Sequence, residues 1–278
     1  MEEYFLEIDR RGVKKSRRKL GERLRGFLRD IAVVRYIVAS ELRARVFDKA
    51  LGMFWLLLEP LIIAGLYYLL TVVVFKQKVE SNHFLFILVA VVFWRWFSKS
   101  VDNSPNMISG YGGILKQTNF PVHLLILVSM GTEFVMLGFG FLVLLVMLCS
   151  YGMYPNLAYI YLPFVMAAQF FFILPFVLLF SVLGTFFKDL GGFLYAFTSV
   201  WFYLSPGIYP TSRIPAKYMW VYKLNPFAHI FPAYRDILIR GKRPELLSVA
   251  LILGVSALFT VLCFKLLNKV KSYFFMYL

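Results

Sequence analysis

The sequence predicts an all-α membrane protein with six transmembrane helices, and three observations support this. Hydrophobic residues make up 60% of the 278 residues and charged residues only 16%, against about 45–50% and about 25% in soluble globular proteins. The charges are grouped in blocks that leave long uncharged stretches between them. Several stretches reach the roughly 20 apolar residues that a helix needs to cross the hydrocarbon core. Most of the chain is therefore expected to lie in lipid.

The N-terminal region is strongly basic. The formal net charge is +15, and 14 of the 30 Lys and Arg residues fall within residues 1–52, before any hydrophobic span. A basic block beside a membrane segment fixes its topology and attracts anionic lipid. No nucleic-acid recognition fold accompanies the charge. We therefore expect membrane lipids, and no nucleic acid, as partners of this region.

Residues 22–49 have the periodicity of a helix but too many charges to cross a bilayer. The pattern is typical of an amphipathic helix in the headgroup plane; a packed helix of a small soluble domain is the alternative. We accordingly divide the chain into a cytosolic basic region, 1–52, and a transmembrane domain, 53–272. The apolar positions of this helix recur at steps of three and four residues: Leu24, Phe27, Leu28, Ile31, Val34 and Val38.

Six apolar segments follow, each bounded by polar or turn residues. The first begins near Met53, which is too late and too long for a signal peptide, so no cleavage is expected. With the basic N-terminus inside, six spans place both termini in the cytoplasm of a bacterial inner membrane. The predicted spans are residues 53–75, 84–101, 122–150, 159–187, 190–204 and 246–267.

Two connecting segments are long. Residues 102–121 are rich in Gly, Ser and Asn and are too polar for lipid. Residues 205–243 contain apolar pieces that are too short to span a bilayer. Short interfacial helices or a re-entrant hairpin on the periplasmic side suit this second segment.

Four charged residues fall inside the first three predicted spans, where charges are costly and are usually paired or functional. Arg95 and Glu133 lie at similar depths in spans two and three, and we predict that they pair near the midplane. Glu59 and Lys99 lie near one leaflet and form a second predicted pair. We interpret both pairs as structural, with a gating role as the alternative.

Span five is dense in aromatic residues. They suit an interfacial belt with lipid-facing bulk, or a pore whose ring faces contact the C–H faces of sugars. Tyr195, Trp201 and Phe197 are the pore-lining candidates, and the first two carry polar tips.

No catalytic or metal site is predicted. The chain lacks the phosphate-binding sequence G-x-x-x-x-G-K-[ST], because Gly241-Lys242 has no glycine at the required position before it. The three histidines have no partner at metal-ligand spacing. Cys149 and Cys263 lie far apart in apolar spans and are expected to behave as small hydrophobic residues.

Several local motifs recur in a familiar order along residues 50–240. Together they resemble the permease subunits of ABC-2-type exporters, in particular those that move O-antigen, capsule or teichoic-acid polymers on a lipid carrier. Lys188 stands where that family has Arg, so a role that needs a bidentate guanidinium is not expected there. The motifs are Leu51-Gly52 with Trp55 and Pro60-Leu61, then Phe120-Pro121, Lys188-Asp189-Leu190, Ser205-Pro206-Gly207-Ile208-Tyr209-Pro210, Asn225-Pro226 and Tyr234-Arg235.

The resemblance implies that the chain is a permease rather than an enzyme. Two copies would pair with two copies of an ABC ATPase, which would carry ATP and Mg, and would export a lipid-linked polysaccharide. A coupling helix between spans two and three would receive the ATPase stroke, and gate helices would lie at the periplasmic mouth. The coupling segment would contain Asn106, Gly110, Gly112, Gly113 and Lys116, and the gate Pro206, Tyr209, Asn225, Pro226 and Arg235.

Three alternative functions make different demands on the sequence. An ABC-2-type exporter of a drug or small lipid would share the fold and have a small closed cavity. A membrane enzyme acting on a lipid-linked sugar requires acidic residues or histidines clustered at one membrane face. A secondary transporter requires broken helices in repeated halves. Neither the cluster nor the repeat is visible in the sequence.

Overall fold

The computed structural model describes residues 4–9, 12–17, 20–47, 52–76, 81–113 and 121–270. It begins with an antiparallel hairpin of β1, Tyr4–Asp9, and β2, Gly12–Arg17, which the sequence interpretation did not include. All other regular elements in the described residues are helical. The all-α membrane class is thus confirmed.

The helices follow the predicted segments closely, and the bounds of the apolar ones agree within a few residues. Short helical turns extend two of them: a π-helical turn, Leu70–Val74, after α2 and a 3-10 turn, Leu157–Tyr161, before α6. The helices are α1 Leu20–Phe47, α2 Phe54–Leu69, α3 His83–Asn103, α4 Pro105–Gly110, α5 Val122–Ser150, α6 Leu162–Phe186, α7 Leu190–Leu204, α8 Met219–Lys223, α9 Phe227–Leu238 and α10 Leu246–Val270.

Five helical segments in these ranges are long and apolar enough to cross a membrane, so the chain is a multi-pass membrane protein. They correspond to α2, α3, α5, α6 and α10 with their extensions. The remaining apolar helix, α7, has 15 residues and is about 22 Å long at the helical rise, against a hydrocarbon core of about 30 Å. Five spans are thus supported by length, and the sixth stays a prediction.

Helix α3 is the centre of the bundle. Of its membrane-length window 78% is buried, against 11% for α10 and 17% for α2, and it contacts α2, α5, α6, α7 and α9. It is also the least apolar of the five spans, and α10 is the most apolar. A span that carries Arg95 and Lys99 is tolerated because its polar side chains face protein or a cavity rather than lipid.

Helix α1 packs along α5 by one face. A γ-methyl of Val38 lies 3.3 Å from the position that a Cβ would occupy at Gly131 of α5. Val34, Glu41 and Arg45 continue this half-buried face at steps of three and four residues. Leu28, by contrast, is 56% exposed and remains available to lipid. The predicted amphipathic helix is present, and its position at the membrane surface stays a prediction.

Between α7 and α10 the chain forms short helical pieces, as predicted for residues 205–243. Two 3-10 turns, Thr211–Arg213 and Ala216–Tyr218, precede α8 and α9. Phe227, Phe231 and Tyr234 of α9 are fully buried against the bundle. The segment is therefore a packed part of the fold.

Candidate functional site

A groove of about 360 Å³ opens between α2, α3 and α7. Its wall combines aromatic rings with hydroxyl and charged groups, which is unusual for helices that cross a membrane. The aromatic members are Tyr67, Trp94, Tyr195, Phe202 and Tyr203, and the polar members are Glu59, Arg95, Ser98, Lys99, Asp102, Thr198 and Ser199.

The aromatic wall is held by contacts between rings. The Tyr67 centroid lies 5.1 Å from that of Phe202 and 6.0 Å from that of Tyr203. Trp94 of α3 packs against the same Phe202 ring, with the two ring centroids 5.3 Å apart. Since α2, α3 and α7 each contribute a ring, the wall exists only when the three helices are assembled.

The charged residues are paired differently from the sequence prediction. Arg95 Nη1 lies 2.7 Å from Glu59 Oε1, with each side chain about one quarter exposed. Glu133 Oε1 accepts hydrogen bonds from Arg45 Nη1 at 2.8 Å and from Asn103 Nδ2 at 3.0 Å. The predicted Arg95–Glu133 pair is therefore wrong, because helix rotation turns Arg95 towards α2 and α1 brings Arg45 to α5.

Glu59 and Lys99, which form the second predicted pair, both line the same groove. The ion pair of Glu59 in the structure is with Arg95. Asp102 was missed because the sequence interpretation ended span two at Val101. Helix α3 continues to Asn103, and the Asp102 carboxylate accepts a hydrogen bond from Thr198 Oγ1 of α7 at 2.9 Å. This bond fastens α7 to α3 at the end of the groove.

The three pore-lining candidates on α7 lie in different surroundings. Tyr195 lines the groove and is 64% exposed. Phe197 is also exposed but lies outside the groove, 6.3 Å from the ring of Phe193. Trp201 packs edge-on against the core ring of Phe97 at 5.2 Å. The structure favours Tyr195 among the three, and its pore role stays a prediction.

Arg235, a predicted gate residue, is 3% exposed and binds backbone carbonyls from two parts of the chain. Its Nε and Nη2 donate to Phe86 O at 3.1 and 3.0 Å. Its Nη1 donates to Pro206 O and its Nη2 to Gly207 O, both at 2.7 Å. The guanidinium carbon lies 3.2 Å from the ring centroid of Phe86, an arrangement that combines fork geometry with cation–π attraction.

Asn225 joins the end of α7 to the start of α9. Its Oδ1 accepts from Trp201 Nε1 at 3.3 Å and from the backbone N–H of Phe227 at 3.1 Å. Its Nδ2 donates to Ser205 Oγ at 2.9 Å. Pro226 is the N-cap residue of α9, a position whose missing N–H leaves no helical hydrogen bond unmade. The motifs noted separately in the sequence thus meet in one hydrogen-bonded cluster.

Tyr209, the remaining gate candidate, donates its hydroxyl to Tyr203 O at 3.0 Å. Burial raises the pKa of Tyr209, so it keeps this proton at neutral pH. Because Tyr203 lines the groove, the cluster around Pro206, Asn225 and Arg235 is continuous with one end of the groove.

The predicted coupling segment begins with α4, which packs on α6. The buried residues of α4 are Pro105, Met107 and Ile108, whereas Asn106 is exposed. A Cβ built on Gly184 of α6 would lie 2.2 Å from Pro105 O, so the two backbones touch at a position that only glycine permits.

Two other predicted coupling residues, Gly110 and Gly113, make no comparable close contact. They have neither a positive φ nor an atom within 4 Å of an added Cβ, so their surroundings do not require glycine, and their coupling role stays a prediction. Gly112 is buried, and Lys116 lies outside the described residues. In the ranges that the structure covers, no cluster of three His, Cys, Asp or Glu side chains could hold a metal ion.

Comparison with known proteins identifies the family. The sequence profile described as "ABC-2 type transporter" matches residues 32–239. The chain is 30% identical over 255 residues to an O-antigen export system permease protein RfbA of Klebsiella pneumoniae, covering 90% of this chain and 95% of the relative. It is 28% identical over 211 residues to the RfbA protein of Myxococcus xanthus, covering 75% and 81%. The chain therefore belongs to the ABC-2 type transporter family.

Proposed function

We propose that this chain is the permease subunit of an ATP-driven exporter that moves a lipid-linked polysaccharide of the O-antigen type across the bacterial inner membrane. Relatives that carry the name of O-antigen export permeases match nearly its whole length. The groove supports this substrate class, because it exposes the rings of Tyr195 and Tyr203 beside hydroxyl and charged groups. Sugar rings have weakly positive C–H faces that suit aromatic rings, and hydroxyl groups that suit polar ones.

The energy source is a separate subunit in this proposal. The sequence has no phosphate-binding loop, so ATP and Mg would be bound by an ABC ATPase present in two copies. Two copies of the permease would enclose the path, with α4 and the residues after it facing the ATPase. Both termini would lie in the cytoplasm, where the basic N-terminal region meets anionic lipid.

The first test is assembly and transport. The tagged chain is purified with its ATPase from cells that make the polymer, and surface polysaccharide is compared in cells with and without the chain. We expect co-purification, and loss of surface polymer with accumulation of lipid-linked polymer inside when the chain is absent. ATP hydrolysis by the purified permease alone, or unchanged surface polymer, would contradict the proposal.

A second test concerns the groove. Tyr195→Ala removes an exposed ring from the groove, and Phe197→Ala removes an exposed ring from the same helix outside it. We expect Tyr195→Ala to lower export about two- to tenfold, since one aromatic contact is worth about 0.5–1.5 kcal/mol. Phe197→Ala should leave export nearly unchanged. Equal effects of both variants would remove the groove from the transport path.

A further inference from the structure

The carboxylate of Glu41 links three separate parts of the chain. Glu41 lies on the half-buried face of α1. Its Oε1 accepts a hydrogen bond from the hydroxyl of Tyr111, the residue that follows α4. Its Oε2 accepts one from Thr132 Oγ1 of α5 at 2.7 Å. One side chain therefore joins α1 both to the coupling segment and to a transmembrane span.

Arg45, one turn further along α1, adds a second link on the same face. It binds Glu133 of α5, and Glu133 also accepts the bond from Asn103, the last residue of α3. Asn103 precedes α4 and Tyr111 follows it. Helix α1 is thus tied to both ends of the coupling helix, directly at one end and through Glu133 at the other.

The chemistry of the Tyr111 contact makes it strong and directional. Burial, and then the hydrogen bond to Glu41, raise the pKa of Tyr111, so the phenol retains the proton that it donates. Hydrogen bonds in which one partner is ionised are shorter and about twice as strong as neutral ones. The ring of Tyr111 packs against the hydrophobic core. Its hydroxyl is therefore held by α1 and its ring by the bundle.

Helix α4 itself is held by α6. Pro105 rests on the backbone of Gly184, where no side chain separates the two elements. Helix α4 is thus held directly by α6, and the residues that flank it, Asn103 and Tyr111, are linked to α1 through Glu133 and Glu41.

We propose that Glu41 is a positioning residue that passes movement of the coupling segment, through Tyr111 and Thr132, to α1 and α5 together. In this arrangement the N-terminal helix moves with the coupling helix during each cycle. The inference rests on the proposed function, because it requires an ATPase that moves the segment. A purely structural alternative is that Glu41 only anchors α1 to the bundle.

Tyr111→Phe tests the link because it deletes one hydroxyl and keeps the ring. Tyr36→Phe is the matched control, since Tyr36 lies on α1 and is 78% exposed. In the purified complex with the ATPase we expect Tyr111→Phe to preserve assembly and ATP hydrolysis but to lower export per ATP at least about fivefold, the lower end of typical coupling between sites. Tyr36→Phe should behave as wild type.

A double variant separates a shared link from two independent effects. If Glu41 acts through Tyr111, adding Tyr111→Phe to Glu41→Ala should lower export per ATP no further than Glu41→Ala alone. If the two substitutions act independently, their fold losses in export per ATP will multiply in the double variant. That result would overturn the proposal. So would parallel loss of assembly, hydrolysis and export in Tyr111→Phe, since that is the behaviour of an anchor.

A distance measurement checks the movement without relying on transport. Spin labels at the exposed positions of Ser40→Cys on α1 and Ser109→Cys on α4, with Cys149 and Cys263 replaced by alanine, report the separation of the two elements. We expect this separation to stay constant with and without ATP in the parent complex and to change with ATP in Tyr111→Phe. A constant separation in Tyr111→Phe overturns this inference alone. A wild-type complex without ATP-driven export overturns the proposed function, and the inference with it.

Discussion

At the scale of single residues, the charged side chains inside the bundle take partners that cannot be read from depth in the membrane. Arg95 lies at the level of Glu133 in the sequence prediction, yet it binds Glu59. Glu133 is 3% exposed and is satisfied by Arg45 from the N-terminal helix. The position of a charged residue along its helix sets its depth in the membrane. Its partner depends on how each helix is rotated about its own axis.

Arg235 gives the sharpest residue-level prediction. Arg235→Lys keeps the charge but has a single nitrogen, which cannot reach the carbonyls of Phe86, Pro206 and Gly207 together. We expect the free energy of unfolding to fall by about 1.5–3 kcal/mol, which is the contribution of one hydrogen bond to a charged group. Thermal unfolding of the detergent-purified chain measures it.

The control for this change lies five residues further on. Arg240 pairs with Asp236 at 2.7 Å, but its side chain is 56% exposed. Arg240→Lys should change stability by no more than about 1 kcal/mol, because exposed ion pairs contribute little. Equal effects at positions 235 and 240 would show that the carbonyl contacts of Arg235 do not stabilise the fold.

At the scale of elements, the contact with α6 fixes the position of α4, the predicted coupling helix. Gly184→Ala would place a methyl group 2.2 Å from Pro105 O, and the clashing atom is backbone, which cannot rotate away. We expect α4 to shift from α6 at a cost of about 1–3 kcal/mol, the usual range for overpacking. Thermal unfolding measures this cost, and export per ATP measures its effect on coupling.

Gly192→Ala on α7 is the matched change, because no atom lies within 4 Å of its added methyl group. Alanine favours helix over glycine by about 1 kcal/mol, so this variant should be as stable as wild type or more so. If Gly184→Ala is equally well tolerated, the close contact between α4 and α6 does not hold the coupling helix in place.

The relation between burial and hydrophobicity is the reverse of that in soluble proteins, where the most buried helices are the most apolar. The central helix, α3, is the least apolar of the five long spans, and the peripheral helix, α10, is the most apolar. Lipid is as apolar as a protein core, so burial in the bundle is not driven by hydrophobicity. Polar residues gather where other helices can satisfy them.

At the scale of the whole molecule, α7 decides the topology. Six spans require its 15 residues to cross, and a helix of about 22 Å can do so only if the bilayer thins locally or its flanking segments enter the interface. The alternative is that α7 turns back within one leaflet. The two topologies place residues 205–243 on opposite sides.

Single cysteines at exposed positions distinguish these topologies when intact cells are treated with an impermeant maleimide. In a chain without Cys149 and Cys263, six spans predict labelling of Tyr154→Cys and Lys217→Cys from outside, and of Lys188→Cys only after permeabilisation. Positions 154 and 188 flank α6, which is long enough to cross the membrane. Their labelling on opposite sides is therefore the control. Labelling of position 217 from the inside would reduce the count to five spans and move the predicted gate to the cytoplasm.

Much of the fold was predictable, because lipid requires each crossing segment to be long, apolar and internally hydrogen-bonded. The ends of α5 and α7 fall where the sequence placed them. The site was predictable only in part. Tyr195 was named, but Tyr67 was not, since an aromatic residue in a span has no signal that separates a groove from lipid.

Local composition and motifs in a fixed order were enough to predict the membrane class, the bounds of the helices and the family. Tertiary structure alone decided which side chains meet: Arg95 with Glu59, Glu41 with Tyr111, and Arg235 with the carbonyls of Pro206 and Gly207. These contacts join residues that lie between 28 and 70 positions apart. The rotation and packing of whole helices set them, and no short stretch of sequence encodes either.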